Sequence, residues 1–441
     1  MERTLERDSA VQKLPDEVDA TFPKQRSVHT ARSRRRAVLA GAVGNIVEWY
    51  DWTIYALFAV YFSEQIFPNS NPTASLLAAL AVFAVGFVAR PVGSVLLGRI
   101  CDRVGRRAAL STTVTIMAIT SLGIALVPTA ASIGIWAAVI LLALRIIQGL
   151  SLGGETSAVG AFLAESAPAN RRGIFTSVYA TTIMIGTLLG AAVGLLLTTV
   201  MTDAELSAFG WRIPFLIGGV LGIVGFFIRR GTRETLDRSV GHDPKPVRTV
   251  LAKHCASAAV TFVVVGAASL SFFGLISGFP ALAKASGHSA QVAFEANTLA
   301  LIGLVVLIPI FGWCSDRIGR RRLLILGFAG LALTCVPALM LLASGQVLAG
   351  QLIIVIPEAA VQAVLIGSLL ERFPSRLRGS GFGLCFAFAV AVFGGTGPMI
   401  STWLVGNGSL VWFGVYVAVT CAVAAVVAVK MRETAFESLP E

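Results

Sequence analysis

Twelve stretches of this chain are apolar over the length of a helix, and that feature fixes most of what it can become. They run roughly over 37–62, 73–98, 108–127, 132–163, 173–200, 213–228, 256–280, 290–312, 323–342, 347–371, 380–404 and 409–430. A helix needs about 20 apolar residues to cross the hydrocarbon of a bilayer. No water is available there, so each segment must pair its own backbone amides and is expected to be helical. Of the 441 residues 56% are apolar and 13% charged, against about 25% charged in soluble domains. A soluble chain of this length could not bury so much apolar surface, which excludes ordinary cytosolic, fibrous and disordered classes.

The net charge of +11 could suggest a nucleic-acid partner. Its distribution argues otherwise. Of 35 Lys and Arg, Arg90 and Arg145 fall within spans, while Arg212 and Lys284 fall in one set of loops. The other 31 lie in the tails and in the alternate loops. Basic residues accumulate on the cytoplasmic side of inner-membrane proteins, so both termini are expected there. Residues 1–36 read as a disordered cytoplasmic tail without a cleavable signal, since the first apolar run is long enough to span. Residues 37–228 form a first set of six spans, 229–255 a central cytoplasmic loop, 256–430 a second set of six, and 431–441 a short tail. Lys284 and Glu295 are expected to be solvated near the outer surface.

The two sets repeat one another. Residues 98–107 read GRICDRVGRR and 312–321 read GWCSDRIGRR, so Asp102, Arg103 and Arg106 recur as Asp316, Arg317 and Arg320, 214 residues on. Glu165, Pro168, Arg172 and Gly173 recur as Glu371, Pro374, Arg378 and Gly379 at an offset of 206. The first motif follows the second span of each set and the second motif follows the fourth. Two motifs repeated in equivalent loops point to duplicated six-helix units, an organisation in which a substrate site lies between halves that rock around it.

These loops resemble the major facilitator superfamily over about residues 37–432. Further segments resemble its metabolite:proton symporter family: GNIVEWYDW at 44–52, GFVARPVG at 86–93, RIIQGLSLGGE at 145–155 and GWRIPF at 210–215. The resemblance implies an all-α integral membrane fold of twelve transmembrane helices in two pseudo-symmetric bundles. It also implies a bacterial inner membrane and proton-coupled uptake of a small metabolite. Members of the family include α-ketoglutarate, citrate, shikimate and proline/betaine permeases. The functional unit is expected to be a monomer in the lipid bilayer. The short C-terminal tail argues against an osmosensory proline/betaine permease, whose tail can form a coiled coil.

The repeated loops are expected to act as a cytoplasmic latch. Asp102 and Asp316 can accept hydrogen bonds at the N-terminus of a neighbouring helix, while Arg103, Arg106, Arg172, Arg317 and Arg320 can pair with Glu165 and Glu371. Inside the spans lie Glu48, Asp51, Arg90, Arg145, Glu155 and Glu358. Each costs roughly 2.5–3.5 kcal/mol at a helix centre, so pairing and function are the default expectation. At about 1.5 Å per residue, Asp51 and Arg145 both lie near mid-membrane. Expected couples are Asp51 with Arg145, and Arg90 with Glu155 or Glu48.

Proton coupling is assigned to Asp51, with Arg145 as its charge partner and Glu48 as the alternative carrier. Burial holds a carboxyl's proton and a nearby guanidinium expels it, so a movement that parts them switches proton affinity. The four histidines lie outside the apolar cores, which leaves carboxylates for intramembrane proton transfer. Substrate contacts are expected from Arg90, Arg145, Gln148, Glu155, Phe273, Glu358 and Gln362. Two intramembrane arginines favour a carboxylate, which guanidinium matches bidentately; a zwitterion would be met by an arginine and a carboxylate together. Gly186, Gly190 and Gly194 read as a packing ridge. Gly190 is followed by Ala191 rather than by the proline of the superfamily's drug antiporters, which favours symport.

The six cysteines are scattered without a CxxC pair, and no metal site is suggested. No organic cofactor is expected, the proton being the coupling ion. Without a Gly-Lys pair there is no phosphate-binding loop, and nothing suggests an enzyme. A proline/glycine-betaine type zwitterion:proton symporter is the alternative to an organic-acid symporter, with a drug:proton antiporter or a membrane sensor on a transporter scaffold less favoured.

Overall fold

A computed structural model describes residues 31–104, 106–152, 160, 163, 167–230, 246–374 and 377–437. The described chain is helical almost throughout. In the first half α1 spans Ala31–Ile66, α2 Pro72–Val104, α3 Arg106–Leu126, α4 Trp136–Leu152, α5 Arg172–Val200 and α6 Arg212–Arg230. In the second half α7 begins as Cys255–Ser271, α8 is Ala290–Ile318, α9 Arg320–Ala343, α10 Val355–Leu370, α11 Gly383–Ala389 continuing to Gly397–Gly406, and α12 Leu410–Lys430.

Eight of the described helices are long and apolar enough to span a membrane, and the bent pair Asp203–Gly210 with Arg212–Ile228 makes a ninth. The shorter apolar helices Ser111–Leu126 and Trp136–Ser151, together with α1, fill the remaining positions of a twelve-helix fold. Boundaries differ from the hydropathy reading where polar residues continue a helix beyond hydrocarbon. Thus α1 already starts at Ala31, and the stretch read as a central loop carries a helix at Pro246–Lys253.

The polarity is that of a protein solvated by lipid. Large apolar side chains such as Leu333, Leu126 and Ile119 are exposed, at 76%, 72% and 62%. In water such a surface would aggregate; in hydrocarbon it costs nothing. Glu48, Asp51, Arg90, Arg145 and Glu358 are all buried. No intramembrane charge among the described residues faces the bilayer.

Glycines set how closely helices approach. A Cβ on Gly149 of α4 would collide with the Gly86 carbonyl of α2, and one on Gly186 of α5 with the Ile46 carbonyl of α1. Of the α5 ridge, Gly186 and Gly190 face α1, whereas Gly194 lies against Phe294 of α8 in the other half. That ridge therefore serves packing on both sides of the halves' boundary.

Two helices of the second half are broken at mid-span. The α-helical part of α7 stops at Ser271 and continues as a π-helical segment, Phe272–Ser277, then as Phe279–Ala285. α11 contains a π-helical segment at Val390–Gly394. Such bulges occur preferentially at functional sites. Both meet the first half: Phe273 stacks on Trp49, and Gly395 lies against Phe87 and Ala84 of α2.

Candidate functional site

The centre of the first half holds a charge cluster drawn from α1, α2 and α4. Asp51 on α1 accepts a hydrogen bond from Gln148 Nε2 at 2.9 Å and one from Arg145 Nη1 at 3.5 Å, both through Oδ2. Gln148 lies three residues beyond Arg145, so one face of α4 supplies both donors. α6 closes over the pair at Gly218, where a Cβ would lie 3.4 Å from Asp51 Oδ1 and 2.8 Å from Ser121 Oγ.

Aromatic rings hold the arginines in place. The Arg145 guanidinium lies 3.8 Å from the Tyr55 ring centre and 5.4 Å from that of Trp52. Arg90 lies 4.2 Å from the rings of both Trp52 and Phe87. Two cations thus share one indole in cation–π contact, for which a flat guanidinium is well suited. Glu48 is buried within Coulombic range of Arg90.

What the cluster leaves unmade is informative. Nε and Nη2 of Arg145, and Nε and Nη2 of Arg90, are buried without a hydrogen-bond partner among the described residues. A buried donor left unsatisfied costs about 1–3 kcal/mol, more for a charged group. Four such donors around Trp52 form a cradle for an anion with several acceptor oxygens. Beside it, Trp49 stacks on Phe273 at 5.8 Å and meets Phe272 edge-on at 5.9 Å, while Phe87 meets Phe273 at 5.0 Å. This aromatic plug crosses from α1 and α2 to α7.

Of the second-half candidates, Phe273 belongs to that plug. Glu358 turns into its own half: Ser271 Oγ lies 2.8 Å from Oε2, and Gln362 Nε2 donates to Oε1 at 2.7 Å. Among the described residues neither Glu358 nor Gln362 forms a hydrogen bond or ion pair with Arg90 or Arg145.

The end of the bundle carrying the repeated motifs is latched. Asp316 accepts from the Gly173 amide at 2.6 Å and the Ile174 amide at 3.0 Å, capping α5 of the opposite half. Gly173 fits only because it lacks a Cβ, which would lie 2.8 Å from Asp316 Oδ1. Glu371 pairs with Arg320 at 3.1 Å and with Arg172, across the halves, at 3.4 Å. Burial pushes the Glu371 carboxyl above the ordinary range, and Arg320 opposes that shift. Among the described residues Arg317 makes no latch contact; its guanidinium lies 3.6 Å from the ring of exposed Trp313. The side chains of Asp102, Arg103 and Arg106, and residues Glu155 and Glu165 altogether, lie outside the described residues. The expected Arg90–Glu155 couple lies there too.

Residues 37–236 match a family model described as "Sugar (and other) transporter", and 261–440 one described as "Major Facilitator Superfamily". The proline/betaine transporter of Escherichia coli K12 is 32% identical over 420 residues, which are 91% of this chain and 84% of that one. The alpha-ketoglutarate permease of the same organism is 32% identical over 430 residues, 94% and 98% of the two chains. The chain belongs to the major facilitator superfamily. It is a multi-pass membrane transporter and not an enzyme. A citrate-proton symporter of Klebsiella pneumoniae, 32% identical over 397 residues, covers 88% of this chain and 89% of its own. A solved D-xylose-proton symporter shares the fold at 20% identity with a TM-score of 0.70, covering 92% of this chain and all of that one.

Two elements of this facilitator escaped the sequence reading. Lys284 is not simply solvated. Its Nζ lies 3.5 Å from Asp203 Oδ2 and 3.9 Å above the Tyr61 ring, and the Tyr61 hydroxyl lies 3.4 Å from Asp203 Oδ1. Lys284 therefore ties the halves at the end opposite the motif latch. The short C-terminal segment is docked as well: Glu433 accepts from the Arg320 amide at 2.9 Å and the Arg321 amide at 3.1 Å, capping α9. One sequence signal pointed to Glu433, because Arg233-Glu234-Thr235 recurs as Arg432-Glu433-Thr434 after the last span of each half.

Proposed function

We propose that the chain is a proton-coupled symporter that takes up a small organic acid across the bacterial inner membrane by alternating access. Its latched, basic end would face the cytoplasm with both termini. The observation that carries the substrate class is the set of four guanidinium nitrogens on Arg90 and Arg145 that have no partner among the described residues. Carboxylate oxygens satisfy such forks two at a time, and two stacked arginines suit a di- or tricarboxylate better than a neutral sugar.

Coupling follows from competition for Arg145. Ionised Asp51 draws on the guanidinium that the substrate also needs. A proton on Asp51 removes that competitor, leaving Arg145 and Arg90 to the substrate, with Gln148 free to turn toward either. After the inner end opens, loss of substrate lets Arg145 recapture Asp51 and expel the proton. Glu48, beside Arg90, would balance the second cation while the site is empty. No step needs a cofactor.

A betaine- or proline-like zwitterion is the second reading. The Trp49–Phe272–Phe273 rings favour it, because aromatic faces attract a quaternary ammonium. The test is uptake into proteoliposomes under an imposed pH gradient, with α-ketoglutarate, citrate, shikimate, proline and betaine in parallel. Accumulation of an organic acid is expected. Accumulation of betaine alone supports the second reading, and efflux of lipophilic cations without uptake of any of the five contradicts both.

A further inference from the structure

Away from their ends, the six spans of the second half carry one Asp, Glu, Lys, Arg or His, and it is Glu358. The carboxyl is buried on α10 at 1% exposure, and among the described residues its hydrogen-bond neighbours are neutral. They are Ser271 of α7 and Gln362 one turn along α10; the thiol of Cys421 on α12, which lies beside Cys335 of α9, is within Coulombic range. An ionised carboxylate buried without a cation is costly enough that such a group takes up a proton instead.

The hydrogen bonds leave room for that proton. Gln362 Nε2 can only donate, which fills Oε1 of Glu358. Ser271 Oγ, 2.8 Å from Oε2, donates its single hydrogen there, and the Ala268 carbonyl 3.1 Å away already accepts from the Phe272 amide. A proton on Oε2 would reverse that contact, the hydroxyl accepting from the carboxyl and turning its own hydrogen to Ala268.

The position of this group ties it to the plug. Ser271 is the last α-helical residue of α7, and the next two, Phe272 and Phe273, are the rings that pack on Trp49. The pseudo-symmetry is also suggestive. Asp51 is held between the first and fourth helices of its half with the sixth against it, and Glu358 sits between the corresponding α7 and α10 near α12. We propose that Glu358 is a second proton-binding group of the transport cycle, whose loading and release move the Phe272–Phe273 segment against Trp49. On release the carboxyl O–H bond breaks heterolytically, the proton passes to water admitted as the half opens, and the Ser271 contact must rearrange.

The inference rests on the proton-coupled reading above, and a substrate-free test separates the two. The protonated-carboxyl band is followed by infrared difference spectroscopy on the full chain in lipid nanodiscs while pH is varied, alongside tryptophan emission. In Asp51→Asn a band is expected that fades reversibly as pH rises and is missing when Glu358→Gln is added. The emission change that accompanies it is expected to vanish in Trp49→Phe. Should Glu358→Gln fail to fold, Ser271→Ala serves instead and is expected to shift the fading by about one pH unit to the alkaline side, the loss of one hydrogen bond to the ionised form. A band that is absent throughout, or that persists unchanged until the protein unfolds, overturns the proposal, as does fading with no response from Trp49. If the band titrates but no solute accumulates under a pH gradient, the proton-symport reading fails while the proton-binding assignment stands.

Discussion

Arg90 is a flat cation 4.2 Å from two ring centres, with Nε and Nη2 unpartnered among the described residues. Arg90→Lys keeps the charge but loses the plane and the fork. It is expected to raise KM for the transported acid about tenfold, roughly 1.4 kcal/mol of binding, with far less effect on maximal rate; initial uptake rates against concentration check this. At this scale the sequence was informative about identity and partly about pairing. Asp51 and Arg145 could be coupled by depth alone, because both fall at mid-span. The stacking of Arg90 on Trp52 could not be read, since neither residue advertises which way it turns around its helix. Glu358 was legible as a buried charge but not as one facing away from the cradle, because that depends on the rotation of α10 against α7.

Among the elements, the N-terminus of α5 depends on a glycine. Gly173→Ala places a methyl against Ser315 and Asp316, forcing the helix end off its carboxylate cap. Loss of such a cap costs about 1 kcal/mol. The expected result is faster alkylation of a cysteine placed at Thr176, with the fold intact by circular dichroism. A second cap sits at the far end, where Thr202 and Glu205 form a reciprocal box ahead of Asp203. Bonds from the Thr202 amide and hydroxyl hold the exposed Glu205 carboxyl below the ordinary glutamate range. A carboxyl depressed in the folded state stabilises at neutral pH and loses that contribution as pH falls below about 4.3 and through its own lower value. Amide exchange at Asp203–Glu205 is therefore expected to quicken in acid in the native chain and to be insensitive to pH, beyond intrinsic exchange, in Glu205→Gln. Repetition made the α5 cap legible: Asp316 and Gly173 both lie in duplicated loops. The π-helical breaks in α7 and α11 left no such trace, since apolar π and α segments look alike in composition.

For the molecule as a whole, the halves are joined at three levels: Asp316 and Arg172–Glu371 at the basic end, the Trp49–Phe273 plug at the centre, and Lys284–Asp203 at the far end. Opening to one side must break one end latch and keep the other. Asp316→Asn and Lys284→Ala are thus expected to shift the distribution of states in opposite directions. Spin labels placed across each end should show a widened basic end in the first variant and a widened far end in the second; widening at the same end in both would contradict the two-latch account. The sequence revealed the duplication and pointed to the loops of Asp316, Arg172 and Glu371, but not to the contact at the far end. Lys284 meets Asp203 only when two halves, joined by a long connection, close on each other.

Asp51 is proposed to carry the coupled proton and to compete with substrate for Arg145. The most direct measurement compares native protein with Asp51→Asn in proteoliposomes, following accumulation of labelled organic acid under a pH gradient and exchange of the same acid at equal pH. The native protein is predicted to concentrate the acid, and Asp51→Asn to exchange it without concentrating it. A neutral variant that still concentrates the acid as the native protein does would contradict the claim.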